Sequence, residues 1–187
     1  LIENKEYRET IALNAYNEVM KHHVTTTSGR KVVDFVKSKL RRNICFSLPS
    51  TNISGGIMVA VKHGIILKKH GYDVTAININ DETKNVSIVT EGTDSLLVVP
   101  YKRTEFLAYI DTMVATMWLT LKYAREYANC KDIKYLVQSM ETGFYKPGQY
   151  EKRMANSTYN NIFNVDYLTI SKWCKTWLKE DFLVDAK

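Results

Sequence analysis

No stretch of about 18 consecutive apolar residues occurs in this 187-residue chain, which argues against a membrane-spanning helix. Cysteine is scarce. Cys45, Cys130 and Cys174 are odd in number and lack metal-ligand spacing, so they predict reduced, buried thiols of a cytosolic protein rather than a disulfide framework or a zinc site. Three N-x-S/T triplets, at Asn52, Asn85 and Asn156, are too short a pattern to outweigh that reading. The histidines form no metal constellation. His22 and His23 end one predicted helix, His63 sits inside another, and the dipole explains His70 near its C-terminus. A G-x-G-x-x-G fingerprint, a P-loop and a Ser/His/Asp set are all missing, which weakens dinucleotide and triad readings. There are no internal repeats or low-complexity segments. Leu1 is not a start methionine and no signal-peptide apolar core comes after it, so the chain reads as a cut or processed piece.

The length suffices for one sizeable domain with a full core, and an apolar share of 45% with 25% charged residues is that of an ordinary globular protein. The net charge of +6 is uneven: residues 1–42 carry nine Lys/Arg against five Asp/Glu, and the other 145 carry 17 against 15. This basic segment has two readings. One is a solvated helical face that needs no partner; the other is peripheral contact with the anionic inner face of the plasma membrane. Nucleic acid is not expected as a partner, because no DNA or RNA module is recognisable.

Residues 3–23 show helical spacing through Tyr7, Ile11, Ala15 and Val19, and residues 31–41 do so through Val32, Val33, Val36 and Leu40. Residues 1–42 therefore read as a helical accessory segment and 43–187 as the main domain. The latter opens with a strand at 43–48, a polar loop through Gly55-Gly56, an amphipathic helix at 57–70, a stop at Gly71 and a strand at 73–79. The loop feeds glycines into a helix N-terminus, where free N–H groups and the dipole favour an anion, so a phosphate-bearing ligand is the first expectation. Downstream, strands are expected at 86–89, 95–100, 112–115, 132–138 and 165–170. Helices are expected at 116–128, 149–160 and 171–182, the last N-capped by Ser171. The alternation predicts an α/β fold: a Rossmann-like, doubly wound parallel sheet with helices on both faces, preceded by two N-terminal helices.

Such sheets bind ligands beyond the carboxyl ends of their strands. There the sequence puts Asn52, Ser54, Gly55 and Gly56 after the first strand and Thr116 and Trp118 after the one ending at 115. Gln138, Glu141, Phe144 and Tyr145 come after the strand ending at 138, and Ser171 and Lys172 after the last. Hydroxyls, an amide, a carboxylate and aromatic faces suit a sugar, whose polar edges need hydrogen bonds and whose apolar faces need a ring to stack on. Plainer readings stand beside these. A glycine pair also serves tight packing, Trp118 suits a core, and Trp173 and Trp177, four apart, favour core packing for at least one. Glu141 is the carboxylate nearest the end of a central strand, and Phe144 and Tyr145 would desolvate it and raise its pKa, which makes it the candidate catalytic base. Its plainer role is to hydrogen-bond a ligand or cap the loop. Asp111, entering its strand from the opposite edge, and Asp81, in a polar stretch, are weaker candidates.

The segment FSLPSTNISGGIMVAVKHGIILKKHGYDVTAI resembles the opening of GT-B glycosyltransferases, in which a glycine pair precedes a helix ending in a GYDV-like turn. Three later segments, YIDTMVATMWLT, KYLVQSMETGFYKPGQY and YLTISKWCKTWLKEDF, resemble the N-terminal domain of WsaF-type bacterial rhamnosyltransferases. The resemblance covers residues 40–185. It implies a cytoplasmic enzyme of two Rossmann-like domains with the active site between them, the N-terminal one mainly for the acceptor and the C-terminal one for the nucleotide-sugar donor. The chain is then the acceptor-side half without its donor domain, inactive alone. The whole enzyme would pass a sugar, rhamnose among the candidates, to a glycan or lipid-linked saccharide in cell-surface polysaccharide synthesis. The family's glycine loop maps onto Ser54, Gly55 and Gly56, facing the donor diphosphate; its rim maps onto Thr116, Trp118, Gln138, Glu141, Phe144 and Tyr145. No metal or other cofactor is implied. Ser139-Met140 stands before Glu141 where the family has an acidic–aromatic pair, which leaves the role of that loop open. The alternative from residues alone is a stand-alone nucleotide-binding or non-catalytic Rossmann-like module, for which Asp81 is the only acid near the ribose position.

Overall fold

Strand β1 (Asn43–Leu48) runs through the middle of a seven-stranded sheet because its side chains serve two cores at once. Successive strand residues point to opposite faces. Ile44, Phe46 and Leu48 join one buried cluster, and Cys45 joins the other. The structure is a computed structural model that describes residues 5–22, 29–32, 42–80, 86–107, 109–126, 130–160 and 164–187. In chain order its elements are α1 (Lys5–His22), β1, α2 (Gly55–Lys69), β2 (Asp73–Asn78), β3 (Ser87–Glu91), β4 (Asp94–Pro100), β5 (Ile110–Ala115), α3 (Trp118–Glu126), β6 (Cys130–Val137), α4 (Tyr150–Thr158), β7 (Asp166–Thr169) and α5 (Lys172–Phe182). Short 3₁₀ turns occupy Tyr101–Phe106 and Glu141–Phe144.

The chain divides into two units, Leu1–Leu40 and Arg41–Lys187. In the first, α1 falls where helical spacing predicts it, and Ile11, Leu13, Tyr16, Val19 and Met20 on it are exposed. Residues 29–32 are helical as well; most of the helix expected at 31–41 lies outside the described residues. Among the described residues no helix is long and apolar enough to cross a membrane.

The second unit is an α/β structure with strand order β3-β4-β2-β1-β5-β6-β7. Every neighbouring pair is parallel except β3 with β4. A wholly parallel sheet is thus the wrong expectation at one edge. Glu91 pairs with Asp94 across the two-residue turn Gly92-Thr93, and Gly92 takes φ 61° to close it. A turn that short can join only antiparallel strands.

Helix α2 begins at the glycines rather than after them. Ser54 is its N-cap, and its Oγ accepts from the Ile57 N–H at 3.4 Å. The helix stops at Gly71, whose φ of 87° lets the N–H of Tyr72 reach back to the Leu67 carbonyl at 3.2 Å. Its residues Ile57, Ala60, Val61 and Ile65 share a core with Phe46, Leu48 and Val98. The other core takes Leu121 and Ala124 from α3 and Trp177 and Leu178 from α5, around Met113 and Tyr135. Thr116 and Met117 stay outside α3, because both of their N–H groups donate to Thr120 Oγ1.

Candidate functional site

The chain leaves β1 towards β2 on one side and later returns to β5 on the other. Loops diverge at such a point and leave a crevice beyond the strand ends. A cavity of about 260 Å³ lies there, between the first turn of α2 and the loops after β5 and β6. A larger groove of about 590 Å³ lies elsewhere, beside α2 over Phe46, Val114, Leu136 and Leu168. Of the two, the smaller cavity is the one lined by a buried carboxyl and an amide, Glu141 and Gln138.

Glu141 dominates that cavity. It is only 3% exposed, yet it lines the space. Its Oε2 accepts from the Trp118 N–H at 2.7 Å and from the Tyr135 hydroxyl at 2.8 Å. Trp118 opens α3, so its N–H has no partner within the helix and carries part of the positive end of the dipole. Glu141 therefore closes the N-terminus of α3 from the next loop. Burial pushes its carboxyl from 4.5 up to about 7, and the hydrogen bonds from Tyr135 and Trp118 pull against that rise. Burial and the neighbouring carboxylate hold the Tyr135 phenol well above its ordinary range, so at neutral pH it only donates. Because both donors land on Oε2, Oε1 is left to the cavity. A carboxyl that titrates near neutrality beside a cleft is suited to proton transfer.

Gln138 supplies a second acceptor. Its Oε1 is buried and has no hydrogen-bond partner in the structure. The amide lies against the first turn of α2, where a Cβ added to Gly56 would come within 3.5 Å of Gln138 Oε1. Phe144, largely exposed, forms part of the cavity's rim.

Of the residues expected at the site, the structure brings Ser54, Gly56, Thr116, Gln138, Glu141 and Phe144 together. Trp118 and Tyr145 stand behind the wall: Trp118 is buried, and its Nε1 donates to the Tyr145 hydroxyl at 3.0 Å. The Thr116 hydroxyl is turned inward, donating to the Ser47 carbonyl at 2.8 Å and tying β5 to β1. Asn52 and Gly55 are exposed and do not line the cavity. Nor do Ser171 and Lys172; the Ser171 Oγ accepts from the Cys174 N–H as the N-cap of α5, and Lys172 is in solvent. Asp111 accepts from the Asn43 N–H at the far ends of β5 and β1. Asp81 lies outside the described residues.

Sequence reasoning passes over Tyr135, which reads only as one residue of an apolar strand. The signal was a hydroxyl on the strand that ends just before Glu141. Among the described residues no group of three His, Cys, Asp or Glu is placed to hold a metal ion. All three cysteines are free thiols, and burial pushes Cys45 up to about 12, so it is inert at neutral pH. Comparison with protein-family models, with curated proteins and with solved structures found no match.

Proposed function

We propose that this chain is the acceptor-side half of a GT-B glycosyltransferase of the rhamnosyltransferase type. Residues 43–187 would be its Rossmann-like, doubly wound domain and residues 1–42 its helical accessory segment. A second α/β domain would supply the nucleotide-sugar donor, and the acceptor would be a glycan or lipid-linked saccharide of the cell surface. The observation that carries this reading is the Glu141 carboxyl, buried yet lining the cavity between the β1 and β5 ends and titrating near 7. An acceptor hydroxyl is a weak nucleophile, and a positioned base is worth typically ~10²–10⁴ in rate. In its carboxylate form Glu141 takes the hydroxyl proton on Oε1. The acceptor oxygen bonds to the anomeric carbon, and the bond from that carbon to the nucleoside diphosphate breaks. Tyr135 and the Trp118 N–H keep Oε2 in place meanwhile.

Glu141→Gln in the complete enzyme tests this. Turnover falls by roughly 10²–10⁴ while acceptor KM changes little. Unchanged turnover overturns the role. The isolated chain transfers nothing, since orienting both reactants can supply ~7–11 kcal/mol and half a cleft orients only one. A dinucleotide-binding module is the second reading, favoured by the α2 N-terminus at the cavity; tight binding of NAD or NADP in calorimetry would select it.

The basic segment at 1–42, with nine Lys/Arg against five Asp/Glu, would rest on an anionic leaflet, each cation near the surface contributing ~1 kcal/mol. Liposome co-sedimentation insensitive to anionic lipid and to salt would remove that part of the reading.

A further inference from the structure

Strand β3 is the outermost strand at one side of the sheet. In a two-residue hairpin the residues that flank the turn form a hydrogen-bonded pair, and such pairs alternate along an antiparallel ladder. Glu91, Val89 and Ser87 therefore direct their N–H and C=O groups at β4, while Thr90, Ile88 and, just before the strand, Val86 turn theirs outward. Among the described residues no strand pairs with that side. Edges are commonly blunted by a lysine, a proline or a bulge. Residues 86–90 read Val-Ser-Ile-Val-Thr, with no charge and no proline, and the ladder to β4 runs residue for residue without a bulge. The nearest charges, Glu91 and Asp94, are matched within the chain by Lys62 at 3.1 Å and Lys69 at 2.8 Å. Helix α2 packs on one face of this hairpin, where Val89, Leu96 and Val98 are buried. On the other face Ile88 lies opposite Leu97 and is 64% exposed, and Val86 and Leu97 are exposed as well. The far side of the sheet differs. There the Thr169 N–H donates to the Lys187 carbonyl at 3.0 Å and the Lys187 N–H to the Tyr167 carbonyl at 2.9 Å, so the chain covers β7 with its own backbone.

We propose that β3 pairs with β3 of a second copy of this chain, antiparallel, about a two-fold axis that passes through Ile88 perpendicular to the sheet. The segment is complementary to itself in that register. Ile88 meets Ile88, Val86 meets Thr90 and Ser87 meets Val89 of the second copy. The outward groups of Val86, Ile88 and Thr90 then form three hydrogen-bonded pairs of two bonds each, within the range of about 10 ± 5 bonds of an ordinary interface. On the open face a row of Leu97, Ile88, Ile88 and Leu97 crosses the seam, and apolar cross-strand neighbours stabilise a sheet. Because Glu91 and Asp94 already have their cations, no unmatched like charges meet there. The pairing is isologous and uses up the β3 edge in both copies, so it closes at a dimer. The axis also reverses the strands, so the carboxyl ends of β1 and β5, and the cavity beside them, point in opposite directions in the two copies. The dimer is therefore independent of what that cavity binds.

Sedimentation velocity of the 187-residue chain and site-directed cross-linking test this. The chain sediments as a dimer at about 100 µM and dissociates on dilution towards about 1 µM, the weak association expected of a narrow interface. Ile88→Lys puts two like charges on the axis and weakens the dimer at least about tenfold. Ile88→Pro abolishes it and keeps the fold, because the N–H it removes points away from β4. The register is read with cysteines in a Cys130→Ser background, which silences the half-buried native thiol. Residues opposite each other in a hydrogen-bonded pair have Cα atoms about 5.5 Å apart, inside the ~4.4–6.8 Å that a disulfide spans. Ile88→Cys thus cross-links to itself under mild oxidation. Val86→Cys and Thr90→Cys each stay monomeric when alone, since each lies about 13 Å along the strand from its own counterpart, and they cross-link when mixed. A chain that stays monomeric at about 100 µM overturns the proposal. So does a dimer that persists in both Ile88→Lys and Ile88→Pro, or one in which the mixed cysteine variants fail to join. The cysteine pattern decides the matter even where Ile88→Pro does not fold.

Discussion

Tyr135 and Glu141 share a hydrogen bond of 2.8 Å between two groups that are both out of water. The hydroxyl comes from β6 and the carboxylate from the 3₁₀ turn just after it, so the bond folds that loop back over its own strand. It also stabilises the charged form of Glu141. Tyr135→Phe removes that help and leaves only the Trp118 N–H. A hydrogen bond to a charged group is worth ~1.5–3 kcal/mol, so the Glu141 midpoint rises by about one to two pH units above its value near 7. Carbon-13 NMR of the glutamate carboxyls measures it directly. A midpoint equal to that of the unaltered protein would sink the positioning role of Tyr135.

Glu141 also makes stability depend on pH, with a definite sign. Its carboxyl titrates near 7 when folded and at its ordinary 4.5 when unfolded. Between those values the folded chain holds a proton that the unfolded chain has lost. Stability is therefore full below 4.5, falls as pH rises through that window, and levels off above 7. The difference corresponds to about 3 kcal/mol at most. Glu141→Gln removes this contribution, so its urea-unfolding free energy drops less than that of the unaltered protein between pH 4.5 and 8. Equal drops in the two proteins would place the Glu141 titration in its ordinary range.

Ser171 tests whether a rim hydroxyl serves a ligand or the fold. Its Oγ accepts from the Cys174 N–H at 3.1 Å with extended backbone at the cap, the arrangement of an N-cap. Ser171→Ala is expected to cost about 1 kcal/mol in urea unfolding and to leave the acceptor KM of the complete enzyme unchanged. Lost binding at unchanged stability would return Ser171 to the site.

The β1–α2–β2 unit is legible in the chain because its punctuation is local: Pro49 comes directly after the strand, Ser54 caps the helix and Gly71 stops it. The antiparallel β3 is not, because its polar surroundings hide the short turn at Gly92-Thr93 that alone dictates its direction. At the cavity, Ser54, Gly56, Thr116, Gln138, Glu141 and Phe144 can be found by looking just past the carboxyl end of each strand. What a residue does there is harder to read, since a hydroxyl near a strand end serves equally a ligand, as expected of Thr116, or a neighbouring carbonyl, as Thr116 does with Ser47. Tyr135 is invisible by the same logic, because its partner becomes a neighbour only once the loop has folded back.

Trp173 and Trp177 look equivalent in sequence, four residues apart on one helix, and the structure separates them. Their rings stack at 6.2 Å and 8°, yet Trp173 is 57% exposed and Trp177 only 7%. Trp177 is also enclosed by Tyr159 at 5.1 Å and Phe182 at 5.3 Å, both edge-on. Removing it leaves a void among rings that cannot close over it, so Trp177→Ala costs about 3–5 kcal/mol. Trp173 loses only one ring face of contact; an aromatic pair adds about 0.5–1.5 kcal/mol beyond area burial, and Trp173→Ala costs no more than about that. Far-ultraviolet circular dichroism during urea unfolding gives both values without depending on tryptophan emission. Equal losses would show that Trp173 is enclosed in solution by something its exposure does not reveal. The expected inequality leaves a fixed aromatic face open to solvent, braced from behind by Trp177.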